Sequence, residues 1–150
     1  MKPIVWILLV VIIASVGALV LKPEPVAAAG ELTIYKSASC GCCGSYGSYL
    51  MSKGWKVNVI DVPDVNVYKQ QYGVPTTLYS CHTTRVGDYF VEGHVPVEAI
   101  SKLMQEQPDI AGIGLAAMPS GTPGMPGPKT GPWAISAVGK DGRVSTFMTI

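Results

Sequence analysis

Glu31-Leu32-Thr33-Ile34-Tyr35-Lys36-Ser37-Ala38-Ser39-Cys40-Gly41-Cys42-Cys43 opens the stretch that decides the fold, which continues through Tyr46, Tyr49 and Leu50 to Gly54 and closes with Trp55-Lys56-Val57-Asn58-Val59-Ile60-Asp61. Residues 31–36 alternate and are rich in β-branched and aromatic side chains, as a half-buried strand requires. From Gly44 to Lys53 the residues Tyr46, Tyr49 and Leu50 recur at helical spacing and read as core. Gly54 then stands where a helix C-terminus needs a residue free to take positive φ. Residues 55–61 alternate again, and the helix between them is long enough for a parallel crossover. The stretch predicts a β-α-β unit with a cysteine loop between its first strand and its helix.

Working outward, Val65 to Tyr72 reads as a short helix closed by Gly73, and Thr76 to Tyr79, after Val74-Pro75, as a third extended piece. Ser80-Cys81-His82-Thr83-Thr84 follows it. Tyr89-Phe90-Val91-Glu92 reads as a strand entered through a Gly87-Asp88 turn, and Val97 to Gln107 as an amphipathic helix with Pro96 near its start. Ile113 to Pro132 carries too many glycines and prolines for either regular structure, which predicts a long loop that is either flexible or pinned. Residues 133–138 and 143–148, joined through Gly139-Lys140-Asp141-Gly142, read as a terminal hairpin. No internal repeat is visible, and Asp61, Asp64 and Asp88 read as solvated strand-end and turn residues.

The chain has 150 residues, enough for one domain with a real core after a targeting segment is removed. A net charge of +1 and a charged fraction of 14% offer no basic surface to nucleic acid. The first residues run apolar from Ile4 to Leu21, broken only by Ser15 and Gly17. Lys22-Pro23-Glu24-Pro25 and the small residues Val26-Ala27-Ala28-Ala29-Gly30 follow, an A-x-A-like cleavage site. Residues 1–29 are therefore expected to be a signal peptide cut after Ala28 or Ala29, leaving 30–150 as an exported domain. Because the run exceeds the usual signal core of roughly 7–15 residues, an uncleaved inner-membrane anchor is the alternative. Membrane contact is expected only through this segment. No cysteine follows the run closely, so the bacterial lipoprotein pattern is missing.

The chemistry lies in four cysteines and two histidines. Cys40 and Cys43 have C-x-x-C spacing between a strand and a helix, where backbone N–H groups at a helix start favour thiolate over thiol. Cys42 adds a thiol next to Cys43, and adjacent residues cannot readily aim at one small ion. A bridged polynuclear cluster, or a mixture of ligand and redox roles, suits this spacing better than a mononuclear tetrahedral zinc site. Cys81-His82 supplies a fourth sulfur and an imidazole, and His94 in Glu92-Gly93-His94-Val95-Pro96 is the only other histidine. Both histidines are expected in turns beyond strands. Met118-Pro119 and Met125-Pro126 lie in the long loop, and a thioether is a soft donor suited to Cu(I). Thiols and thioethers do not favour Mg²⁺ or Ca²⁺, and export favours copper over an iron–sulfur cluster. Two structural disulfides are the plain alternative, with three possible pairings. A vicinal Cys42–Cys43 bridge is strained, and pairing Cys40 with Cys43 leaves Cys42 to find Cys81. A thiol–disulfide oxidoreductase using Cys40 and Cys43 is the other reading.

Tyr35-Lys36-Ser37-x-Ser39-Cys40-Gly41-Cys42-Cys43, Gly73-Val74-Pro75, Ser80-Cys81-His82-Thr83 and Glu92-Gly93-His94-Val95-Pro96, in this order, resemble the CopG-type periplasmic copper-handling family. The resemblance runs from about Leu32 to Met125. It implies a thioredoxin-like three-layer α/β sandwich with a mixed central sheet, to which the Gly/Pro/Met loop and the C-terminal hairpin are additions. It further implies a periplasmic setting and a part in copper resistance through binding Cu(I), with several ions and interconversion of Cu(I) and Cu(II) as extensions of that role. Cys40, Cys42, Cys43 and Cys81 are carried over as principal ligands, His82 and His94 as neighbours, and Met118 and Met125 as supporting sulfurs. Other periplasmic copper-resistance or efflux proteins would be its partners.

Overall fold

Alternation places Leu32 and Ile34 on the buried face of β1 (Glu31–Lys36), and α1 (Gly41–Ser52) crosses over them to β2 (Lys56–Asp61). The computed structural model describes residues 30–150, so the expected signal peptide at 1–29 lies outside the described residues. β2 pairs parallel with β1, from Glu31 opposite Lys56 to Lys36 opposite Asp61. The predicted β-α-β unit is present. A Cβ on Gly47 would stand 3.4 Å from Val59 and 3.6 Å from Ile34, so α1 lies close on both strands.

α2 (Asn66–Gln71), β3 (His82–Val86), β4 (Tyr89–Glu92) and α3 (Val97–Glu106) complete the thioredoxin-like core. β3 runs antiparallel to β1 and to β4. β5 (Gly112–Gly114), β6 (Ala134–Val138) and β7 (Val144–Thr149) extend the sheet to seven strands in the order β2-β1-β3-β4-β5-β6-β7. The terminal hairpin is β6 and β7, with an irregularity between Ile135 and Ser136.

Successive strand residues face opposite ways, so Phe90 and Val91 mark the two sides of the sheet. Val91 packs with Leu32, Ile34, Tyr46, Leu50, Ile100 and Leu103, which puts α1 and α3 on one side. Phe90 packs with Val74, Leu78 and Val138 on the other. Fully burying side chains of this size contributes about 1.5–3 kcal/mol each. Both layers are therefore substantial, and Tyr46 and Leu50 are core as expected. Among the described residues no helix is long and apolar enough to cross a membrane.

The structure corrects three local expectations. Thr76–Leu78 is a single 3₁₀ turn rather than an extended piece, because the Leu78 N–H bonds back to the Pro75 carbonyl at 2.9 Å. His82 opens β3 and is fully buried instead of lying in a turn. Residues 112–114, partly assigned to the long loop, form β5 between β4 and β6. Glycine there reads as loop in sequence, but a Cβ on Gly112 would stand 2.4 Å from the Phe90 carbonyl oxygen. Only glycine lets the strands approach this closely.

Candidate metal centre

Cys40 is the residue at which the chain turns into α1, and Cys42 and Cys43 lie in its first turn. The helix thus starts at the cysteines rather than after them. Cys40 and Cys43 are joined by a disulfide, with Cα atoms 5.5 Å apart, while Cys42 and Cys81 are free. Cys81, immediately before β3, brings the second segment to the first. Its Sγ lies 3.4 Å from the sulfur of Cys43 and 3.8 Å from that of Cys42, which is in turn 3.5 Å from Cys40. The four sulfurs lie within 4.8 Å of one another. The adjacent pair Cys42 and Cys43 therefore does converge, because both side chains lean toward Cys81 from one helical turn.

Cys81 belongs to a second group as well. Its Sγ lies 3.5 Å from His82 Nδ1 and 3.3 Å from His94 Nε2, and these donors also lie within 4.8 Å of one another. One sulfur is common to an all-sulfur group and to a nitrogen–sulfur group. His94 Nδ1–H donates to the Pro123 carbonyl at 2.6 Å, which fixes the ring and leaves Nε2 as an electron-pair donor toward Cys81. Tyr46 packs against both imidazoles, with ring centroids 4.8 Å from His82 and 5.2 Å from His94, and its hydroxyl donates to the Val95 carbonyl at 2.8 Å. Nε2 of His82 is buried with no hydrogen-bond partner among the described residues. An unsatisfied polar atom of this kind is rare in a stable core and common at a site built for chemistry.

Burial sets the protonation states. It lowers the pKa of His82 well below the usual imidazole value, with nearby His94 and Lys69 adding to the effect, and it lowers that of His94 against the opposing bond to Pro123. Both rings are neutral near pH 7, as metal donors must be. Burial pushes the Cys81 thiol up to about 12, with Cys42 beside it reinforcing the shift. Cys81 thus carries a proton in the free protein and releases it when a metal binds. The histidine shifts also give a stability profile. Because their folded pKa values lie below the unfolded value of about 6.5, the stabilisation is present above that pH and is lost as pH falls toward the folded values. Thermal midpoints of the metal-free protein should therefore drop as pH falls below about 6.5, at up to ~1.4 kcal/mol per pH unit for each ring. His82→Gln should flatten the slope; an unchanged slope would contradict the assignment.

The loop expected to be flexible or pinned is pinned. Ser120 donates to the carbonyls of Pro126 and Pro128, Met125 N–H bonds to Thr122, and Pro123 holds His94. A Cβ on Gly124 would stand 2.7 Å from Tyr46 N and 2.9 Å from the Cys42 carbonyl oxygen, so the loop backbone lies directly on the first turns of α1. Met125 follows this contact and Met118 lies at the other end of the fold-back, both half-buried.

Residues 78–125, which hold Cys81, His82, His94 and this loop, match the family model described as "Protein of unknown function, DUF411". No curated protein matches the sequence. Two solved forms of copper resistance protein CopG superpose on the chain with TM-scores of 0.76 and 0.75. Each is 32% identical, over 81% of this chain and 98% of the solved one. The chain belongs to the CopG family. In this CopG-type chain both sulfur segments and both histidines fall within the described residues, and they meet at one end of the sheet.

Sequence reasoning missed several residues of this CopG-type site. Lys69, Ser80, Thr83 and Glu92 form a buried polar network directly behind Cys81, and the Pro123 carbonyl orients His94. Alternation in Tyr89-Phe90-Val91-Glu92 carried a usable signal, because it puts Glu92 on the same buried face as Phe90. Lys69 shows no such pattern.

Proposed function

We propose that this protein is a periplasmic copper-binding protein for copper resistance, holding Cu(I), as several ions, on the thiolates of Cys40, Cys42, Cys43 and Cys81. The convergence of Cys81 on both donor groups carries this reading. Soft thiolates favour Cu(I), while His82 and His94 add nitrogen donors that Cu(II) also accepts. Met118 and Met125 supply supporting thioethers from the loop over the site. Copper is cargo here, acquired and passed on, and other copper-resistance or efflux proteins are its partners.

Cys40 and Cys43 hold copper only as thiolates; joined as a disulfide they instead form a two-electron couple beside the remaining donors Cys42, Cys81, His82 and His94. Two Cu(II) ions take one electron each from the thiols of Cys40 and Cys43, giving two Cu(I), the Cys40–Cys43 bond and two released protons. In the reverse direction two Cu(I) give their electrons to the disulfide, which takes up two protons as the sulfurs separate. Thiol–disulfide exchange with another protein is the second reading, supported by the position of that bond at a helix start.

Anaerobic titration of the reduced domain with Cu(I) separates the two. More than one equivalent should bind, with an ultraviolet thiolate band that grows with each ion. Less than one equivalent with no such band, together with disulfide reductase activity on insulin that Cys40→Ser abolishes, would replace copper binding with the oxidoreductase.

A further inference from the structure

Directly behind Cys81 lies an ion pair that the metal ligands do not include. Lys69 on α2 and Glu92 on β4 are 1% and 0% exposed in their side chains, and their charged ends meet. The cross-strand partner of Glu92 is Thr83. Oε1 of Glu92 accepts the Ser80 N–H at 2.7 Å and the Ser80 hydroxyl at 2.8 Å, and Oε2 accepts the Thr83 hydroxyl at 2.7 Å. Lys69 Nζ donates to the His82 carbonyl at 3.3 Å and to Thr83 Oγ1 at 3.0 Å. Every residue flanking Cys81 from 80 to 83 is thus tied to the pair, while the Cys81 side chain is left to face the other sulfurs.

Stability alone is a poor explanation for this arrangement. Burying two charges is costly, and apolar residues of similar volume often replace such a pair without loss. What they cannot replace is the directional hold on a backbone segment. Glu92 is also two residues from His94, so one strand end fixes the Cys81 segment through its carboxylate and presents the imidazole that reaches Cys81 Sγ.

We infer that Lys69 and Glu92 are positioning residues, a clamp that fixes Ser80-Cys81-His82-Thr83 so that the Cys81 sulfur stays at the junction of the two donor groups. The inference rests on the copper reading above for its purpose, but not for its geometry. Supporting residues behind metal ligands typically change affinity by about 10–100-fold when removed, without touching the ion.

The test measures alkylation of Cys81 by iodoacetamide in copper-free protein. With Cys42→Ser and the Cys40–Cys43 bond intact, Cys81 is the last free thiol of the four cysteines. Glu92→Gln should speed its alkylation by about tenfold, the factor that ~1.4 kcal/mol of lost restraint represents. Ser80→Ala/Thr83→Val, which leaves the ion pair in place and so protects folding, should speed it several-fold. Leu103→Ala, a core change with a comparable fall in thermal midpoint, should leave the rate of the folded protein unchanged. In protein with all cysteines present, Glu92→Gln should also lower Cu(I) affinity by about 10–100-fold. Unchanged alkylation in Ser80→Ala/Thr83→Val, which alters no charge near the thiol, would overturn the inference and assign the pair to stability alone, because faster alkylation in Glu92→Gln by itself also follows from the lost negative charge. Faster alkylation in a protein whose parent binds no Cu(I) would uphold the clamp and overturn the copper reading.

Discussion

Cys81→Ser should remove more copper than any other single substitution. Cys81 is the one donor shared by the four-sulfur group and the Cys81-His82-His94 group, so its loss reduces both. Cys42→Ser, by contrast, leaves the nitrogen–sulfur group complete, and bound copper should fall only in part. A serine oxygen is similar in size but a poor donor to Cu(I), so affinity should fall beyond the roughly 10–100-fold that a supporting residue costs. The thermal midpoint of the metal-free protein should change little, because Cys81 is only partly buried and lies outside both apolar clusters. Competition with a Cu(I) chelator and metal analysis after desalting check this. Equal losses from Cys81→Ser and Cys42→Ser would mean that Cys81 is one ligand among four and not the junction.

Gly93→Ala should damage both fold and site. Gly93 has φ +77°, and a Cβ there would stand 2.7 Å from the Leu115 carbonyl oxygen and 3.3 Å from the Ser80 side chain. A left-handed backbone costs a non-glycine residue roughly 1–2 kcal/mol, and the contact with a backbone oxygen that cannot swing away adds to that. The total should reach about 2–4 kcal/mol, lowering the thermal midpoint by roughly 10 °C or more. The same substitution sits between Glu92 and His94 and presses on Ser80, so copper affinity should fall in the fraction that remains folded. Gly44→Ala on the exposed face of α1, where a Cβ meets nothing within 4 Å, is the control and should be neutral or mildly stabilising. A Gly93→Ala protein with unchanged midpoint and copper affinity would refute the role given to this turn.

How much of this was legible in the sequence varies by element. The β-α-β unit could be read because alternation in 31–36 and 55–61 and helical spacing at Tyr46, Tyr49 and Leu50 are local signals. The terminal hairpin was legible for the same reason. β5 was not, because Gly112 and Gly114 give no strand pattern and owe their place to the close approach of Phe90 and Glu92. His82 was misplaced because Ser80-Cys81-His82-Thr83-Thr84 carries no apolar strand pattern, yet His82, Thr83 and Thr84 are buried, and His82 and Thr83 are tied to Lys69 and Glu92, a partnership fixed by tertiary structure. The donor residues themselves could be read from type and spacing. Their convergence could not, since Cys81 meets Cys43 only once β1, β3 and α1 are assembled. The loop at 113–132 showed in sequence as irregular, but its pinning depends on a carbonyl of Pro123 meeting His94, and backbone acceptors leave no mark in composition.

The central claim is that several copper ions sit on sulfur with Cys81 in common. X-ray absorption at the copper edge of the reduced, copper-loaded domain tests it most directly. The expected result is a first shell dominated by sulfur with a smaller nitrogen component, a resolved copper–copper scattering path, and loss of that path in Cys81→Ser. A shell of oxygen and nitrogen without sulfur, or sulfur ligation with no neighbouring copper in protein loaded beyond one equivalent, would contradict it.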